Sequence, residues 1–232
     1  MKNNIIITGA ANGLGLELTR MCCKNGDHVF CIDKDEIAIK QNLEKISTMI
    51  DCFVGDISNE AFVKETINTI TTNYKISALI NCGGSPSFKK PTDYTANDVD
   101  KCLEGLKGMI YFTTNILKKM NNEGGKIVNI MSSASLRGNA NESVYCAVKW
   151  GERGYTESLK KAYCGTNIFI YGVYPGGIDT NFYKNSRDYV SIEKQKSFMS
   201  PIELAEVIYE NVFNKKNLIV EDLVINRIKK NI

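Results

Sequence analysis

The chain has 232 residues, enough for one well-buried domain, and no composition shift divides it, so a single α/β domain over 1–232 is expected. Apolar residues make up 43% and charged residues 24%, and the net charge of +3 is scattered in sign, so neither nucleic acid nor a membrane surface is an expected partner. No apolar run approaches the ~20 residues of a membrane span, no secretory leader is expected because a strand begins almost at once, and the eight cysteines lack a Cys-x-x-Cys pair and read as reduced thiols. With His28 the only histidine, no zinc or other metal is expected, and the chain is placed in the cytoplasm.

Taken in order, the apolar run Ile5 to Ile7 reads as a buried strand. Thr8-Gly9-Ala10-Ala11-Asn12-Gly13-Leu14-Gly15 follows, and Leu14, Leu18, Met21 and Cys22 give one face of a helix. This is a glycine-rich turn from strand to helix, which brings a diphosphate against the backbone at the positive helix end. Gly9 permits the tight turn, Gly13 leaves room for phosphates, and Gly15 lets the helix pack on the strand. Gly26-Asp27 turns the chain, and His28 to Ile32 is a second strand ending at Asp33, 18 residues past Gly15. A carboxylate at about that distance binds ribose hydroxyls. It also repels a 2′-phosphate, which argues for NAD over NADP, although Lys34 beside it pulls the other way.

Helix two is predicted over Asp35 to Ser47 and strand three over Ile50 to Val54. Ser58 is the expected cap of a helix with Val63, Ile67 and Ile70 on its inner face. Strand four, Ala78 to Asn81, runs into Cys82-Gly83-Gly84, and Ser85 to Tyr94 is a polar loop. The long helix after it carries two apolar stripes: Val99, Leu103, Leu106, Ile110 and Leu117, then Met109, Phe112 and Ile116. That exceeds what one sheet face needs, so part of it is expected at a subunit interface. Strand five is Lys126 to Met131, with Ser132 and Ser133 at its end, and helix five runs from about Val144 to Cys164. Strand six, Ile168 to Tyr174, ends at Pro175-Gly176-Gly177. The polar stretch from Asn181 to Met199 has no clean period and is expected to form a mobile substrate lid at about 181–200. Ser200-Pro201-Ile202-Glu203 starts a last helix, with Ile202, Ala205, Ile208 and Val212 expected to face inward, and Leu218 to Ile225 closes the sheet. Alternating strands and helices predict a parallel sheet with right-handed crossovers.

Tyr145 and Lys149 stand four apart on one helix face, and Ser132 precedes Tyr145 by 13 residues at a strand end. A phenol with a pKa near 10 is a poor base, and a neighbouring ammonium lowers that value. The serine hydroxyl can hold a substrate oxygen while a proton and a hydride move.

The ordered set of Thr8–Gly15, Asn81-Cys82-Gly83-Gly84, Ile127–Ser132, Tyr145-Cys146-Ala147-Val148-Lys149 and Pro175-Gly176-Gly177-Ile178-Asp179-Thr180 resembles the short-chain dehydrogenase/reductase (SDR) family from Ile5 to about Ile225. The resemblance implies a seven-stranded, doubly wound parallel Rossmann sheet of order 3-2-1-4-5-6-7 with helices on both faces. It implies an NAD(H) oxidoreductase for a small secondary alcohol or ketone, with Ser132, Tyr145 and Lys149 catalytic. The cofactor residues it implies are Gly9, Asn12, Gly13, Leu14, Gly15, Asp33, Pro175 and Gly176, with Asp56 and Ile57 at the adenine, Asn81 and Gly83 along the groove, and Ile178 and Thr180 at the nicotinamide. Tyr145 and Lys149 also meet the nicotinamide ribose side, and a homodimer or homotetramer through 95–120 and 144–164 is implied. One departure stands out: where the family carries an asparagine that completes its catalytic tetrad through a water, this chain has Gly105. Water filling that space keeps a proton path; otherwise the chain is a weakly catalytic nucleotide-binding sensor or assembly protein. An NADP(H) reductase is the milder alternative. Lys89, Lys90, Arg137, Lys184 and Arg187 leave an anionic substrate open, while Phe182, Tyr183 and Phe198 wall an apolar pocket or anchor the lid.

Overall fold

Along β1 (Asn4–Thr8) Ile5 and Ile7 face one helix layer and Ile6 the other, and all three are fully buried. A strand that is apolar on both faces needs helices on both. The computed structural model describes residues 3–120, 124–184, 186, 188–215 and 217–228. One layer holds α1 (Gly13–Lys24), α2 (Glu36–Asn42) and α7 (Pro201–Phe213), where Leu18, Cys22, Ile39, Leu204 and Ile208 cover Ile5, Ile7, Val29 and Val128. The other holds α3 (Glu60–Asn73), α4 (Ala96–Met120) and α5 (Ser143–Ala162), where Val63, Ile67, Phe112 and Ile116 cover Ile6, Phe30 and Leu79.

The remaining strands are β2 (His28–Asp33), β3 (Ile50–Val54), β4 (Ala78–Asn81), β5 (Gly125–Ile130), β6 (Ile168–Pro175) and β7 (Asp222–Ile225). They form one seven-stranded sheet of order β3-β2-β1-β4-β5-β6-β7, parallel at every pair. The chain builds outward from β1 to β3, returns to place β4 beside β1, and builds outward again. That reversal opens a crevice above the carboxyl ends of β1 and β4, where α/β sheets bind their ligands.

Several predicted boundaries shift for local reasons. Helix two ends at Asn42 rather than Ser47, because the Asn42 amide donates to the Ala11 carbonyl at 2.9 Å and Ile46 closes a tighter turn onto Leu43. Asn59, not Ser58, caps α3; Ser58 is held instead by the Asp56 carboxylate, its N–H and hydroxyl each at 2.8 Å. Ile202 is 55% exposed, since α7 turns Leu204 and Tyr209 onto the sheet beside Ala205, Ile208 and Val212. The closing strand is four residues long, and Leu218 lies outside it, 77% exposed. Of the two stripes on α4, Met109, Phe112 and Ile116 are core, whereas Val99, Leu103 and Leu106 line an apolar groove against Val144, Ala147 and Val148 of α5. Among the described residues no helix is long and apolar enough to cross a membrane.

Candidate active site

The turn after β1 is shaped by backbone. Gly9 has a φ of +67°, donates its N–H to the Ile32 carbonyl at 2.8 Å, and leaves room for the Gly83 Cα, which a methyl would approach to 2.7 Å. A methyl on Gly15 would collide with the Gly9 carbonyl oxygen, so α1 can start this close to the strand only with glycine there. Leu14 anchors the first turn in the core. Asn12 is the N-cap of α1, yet its side chain accepts from none of the first-turn N–H groups. By contrast Asp35, Asn59 and Ser200 close α2, α3 and α7. The head of α1 therefore keeps free N–H donors and the positive end of its dipole. Across the crevice the Thr180 side chain stands 3.3 Å from where a Cβ on Gly13 would be. These residues fit a dinucleotide diphosphate, with open helix donors on one lip and Thr180 on the other.

Asp33 sits at the end of β2, where its Oδ2 accepts the Ala11 N–H at 3.0 Å and its Oδ1 the Asp35 N–H at 3.1 Å. Beside it, the Lys34 ammonium is 2.7 Å from the Glu104 carboxylate of α4. Burial pulls the Lys34 pKa down, but the bond and charge of Glu104 together with the charges of Asp56 and Asp33 outweigh it and leave the ammonium more firmly protonated than usual. Asp56 holds Ser58, and Ile57 packs over Gly83 and Gly108 where side chains would collide with it. Pro175 ends β6, Gly176 donates to the Ile225 carbonyl at 2.9 Å, and Ile178 bridges to Met199. Asn81 departs from expectation. Its side chain does not line the groove but turns into the protein, donating to Thr113 at 3.0 Å and Asn129 at 2.8 Å, and it is 3% exposed.

Ser132, Tyr145 and Lys149 come together at the ends of β5 and α5. The Ser132 hydroxyl accepts the Ala134 N–H at 3.1 Å, caps the 3-10 turn 133–135 and stands close enough to the Tyr145 phenol to draw its pKa down. The Lys149 ammonium lies 5.7 Å from the centre of the Tyr145 ring. Burial pushes the phenol well above its ordinary range; Ser132 draws it down, and Glu152, Glu142 and Cys102 add to the rise. Burial, not a lowering by a neighbouring ammonium, dominates the phenol, and the Lys149 Nζ donates to the buried Glu152 carboxylate at 2.7 Å. The space beside Gly105 is taken by the Gly84 backbone and by Glu152 Oε1, 3.6 Å from where a Cβ would stand. Spacing held the signal for Glu152, three residues past Lys149 on the same helix face, and sequence reading passed over it.

In the segment after β6, the described residues form a 3-10 turn, Asn181–Tyr183, and a short α6 (Ile192–Lys196), with Gln195 donating to Asp179 at 2.7 Å and to the Thr180 carbonyl at 3.0 Å. Aromatics of this segment meet one from the loop after β4: Phe182 and Phe88 flank Tyr145 with ring centres 6.3 and 5.6 Å away, and Tyr183 joins Phe88 to Phe198. Lys89 is paired with Asp98 at 2.7 Å, Lys90, Arg137 and Lys184 are exposed, and Arg187 lies outside the described residues. The walls nearest Tyr145 are therefore aromatic rather than cationic.

Comparison with known proteins gives this site relatives. The family model for short chain dehydrogenase matches residues 3–190. Sepiapterin reductase of Chlorobaculum tepidum is 28% identical over 241 residues, spanning 97% of this chain and 96% of that protein. The 3-oxoacyl-(acyl-carrier-protein) reductase FabG of Rickettsia conorii is 31% identical over 178 residues, spanning 76% of this chain and 73% of FabG. Among solved structures, ElxO with NADP bound superposes with a TM-score of 0.85 at 26% identity, covering 97% of this chain and 96% of ElxO.

Proposed function

The chain belongs to the short chain dehydrogenase family and is an oxidoreductase, and from that premise we propose that it interconverts a secondary alcohol and a ketone with NAD(H), Tyr145 exchanging the proton. The observation that carries this reading is the convergence of Ser132, Tyr145 and Lys149 beside an uncapped, glycine-built helix end. A bound nicotinamide dinucleotide supplies or accepts the hydride. In the reducing direction Ser132 and Tyr145 hold the carbonyl oxygen by hydrogen bonds, and Tyr145 gives it a proton as charge develops there. Burial favours the protonated phenol, so Tyr145 carries the proton that the carbonyl oxygen receives. Lys149 keeps positive charge beside the ring for the reverse reaction. Phe88 and Phe182 exclude water and favour a carbonyl carried on an apolar or aromatic group.

Preference for NAD is supported by Asp33, whose carboxylate is held at the glycine-rich turn by the Ala11 N–H, and by Glu104, which already occupies the Lys34 ammonium. One observation favours NADP(H) instead: ElxO, similar over nearly its whole length, holds NADP. Titration with NADH and NADPH decides between them; a clear NADPH preference overturns the use of Asp33. The apolar groove between α4 and α5 supports a homodimer or homotetramer closed through those helices. Oxidation of NADH in the presence of a panel of aryl and alkyl ketones tests the activity itself. Turnover on some members is expected, and tight NADH binding with no turnover on any member would favour a nucleotide-binding sensor.

A further inference from the structure

We infer that Glu152 is a positioning residue for the proposed reaction, holding the Lys149 ammonium beside Tyr145 through a carboxylate lodged in the space that Gly105 leaves open. The inference rests on the catalytic reading of Tyr145 and Lys149.

A carboxylate is a costly choice at this place. Glu152 is 1% exposed, and its Oε2 is 2.7 Å from Lys149 Nζ, itself nearly enclosed. Taking two charges out of water costs several kcal/mol per ion, and a hydrocarbon of similar size commonly packs there at no loss of stability. The pair also has to be accommodated by its neighbours. Gly105 of α4 stands against the Gly84 Cα at 3.1 Å and the Gly83 carbonyl at 3.3 Å from a would-be Cβ, with Glu152 Oε1 next at 3.6 Å. A Cβ at 105 would crowd the strand-end backbone of Gly83 and Gly84 and would stand at ordinary contact distance from the carboxylate. The turn of α5 that carries Glu152 is further pinned by a buried polar chain. Thr156 donates to the Glu152 carbonyl at 2.7 Å, Asn129 donates to Thr156 at 2.9 Å, and Asn81 donates to Asn129 at 2.8 Å. The inward turn of Asn81 thus becomes part of the same support, linking β4, β5 and α5.

This arrangement fixes what Lys149 can do. An ammonium has three donors. Glu152 takes one and holds the ammonium 5.7 Å from the centre of the Tyr145 ring, leaving two donors for other partners. The negative charge of Glu152 also disfavours the phenolate, so its removal lowers the Tyr145 pKa. The other groups that bear on this pair are Glu142 at the start of α5, Cys102 of α4, Cys82 after β4, Ser132 after β5 and Tyr183 after β6; all of these stay in place when Glu152 is changed.

The test is the pH profile of ketone reduction in Glu152→Gln, with NADH binding and thermal unfolding recorded alongside. The account expects kcat lower by about tenfold with the ketone KM little changed, and an alkaline limb that sets in at lower pH than in wild type. Glu152→Asp, which keeps the charge, should restore the limb. If Glu152→Gln does not fold, Glu152→Asn, which is shorter and still offers the ammonium a neutral acceptor, is measured the same way. A limb and kcat equal to wild type in whichever neutral variant folds overturns the inference. Loss of turnover in Tyr145→Phe together with that result would leave the catalytic reading standing and remove only Glu152; undiminished turnover in Tyr145→Phe removes both.

Discussion

The two sides of the crevice do their work with different parts of the chain. On the β1 to β3 side the groups offered to a ligand are backbone N–H donors at the head of α1, made reachable by glycines, with Asp33 the one charged side chain anchored to the turn. On the β5 and β6 side they are side chains: a hydroxyl, a phenol and an ammonium steadied by a buried carboxylate. The first side should therefore be sensitive to added atoms and tolerant of altered polarity. The second should tolerate small changes of shape and respond sharply to lost donors and charges.

Substitutions can break or sharpen that contrast. Ser132→Ala deletes a donor to the developing oxyanion, and kcat should fall by about 10²–10³-fold while NADH affinity stays near wild type in a fluorescence titration. Gly15→Ala adds one carbon against the Gly9 carbonyl oxygen; it should cost about 1–3 kcal/mol in denaturant unfolding and weaken NADH binding, since α1 must move off the strand end. Asp33→Asn keeps the shape and removes the charge, and the ratio of NADPH to NADH affinity should rise about tenfold, or about 1.4 kcal/mol. The smallest effect separates a cap from an open helix end. Asn59→Ala, which removes the acceptor for the Ala61 and Phe62 N–H groups, should cost about 1 kcal/mol, whereas Asn12→Ala, with no such bond to lose, should leave stability almost unchanged. Equal losses at the two asparagines would mean that the head of α1 is not the open end described above.

Local pattern explains what could be read before the structure. The strand-turn-helix at 5–22, the parallel sheet and the shared helix face of Tyr145 and Lys149 follow from spacing and from the rules that govern alternating strands and helices, whereas the strand order and the catalytic set with Ser132 are implied by the family resemblance. What escaped is set by neighbours distant in sequence. Asn81 stands at a strand end like a groove residue, but Thr113 and Asn129, on other elements, decide where its amide goes. Lys34 reads as a free cation until Glu104, 70 residues on, is placed against it. Gly105 reads as a missing side chain until α4 and α5 are packed and the Glu152 carboxylate is seen beside it. Ile202 follows the helical period of α7 but falls just beyond the arc that meets the sheet.

The most direct test of Tyr145 as the proton donor pairs two readings on Tyr145→Phe: NADH affinity by titration and ketone-dependent NADH oxidation at saturating NADH. The account predicts affinity within about twofold of wild type and turnover lower by about 10²–10⁴-fold. Turnover equal to wild type with affinity unchanged would contradict it.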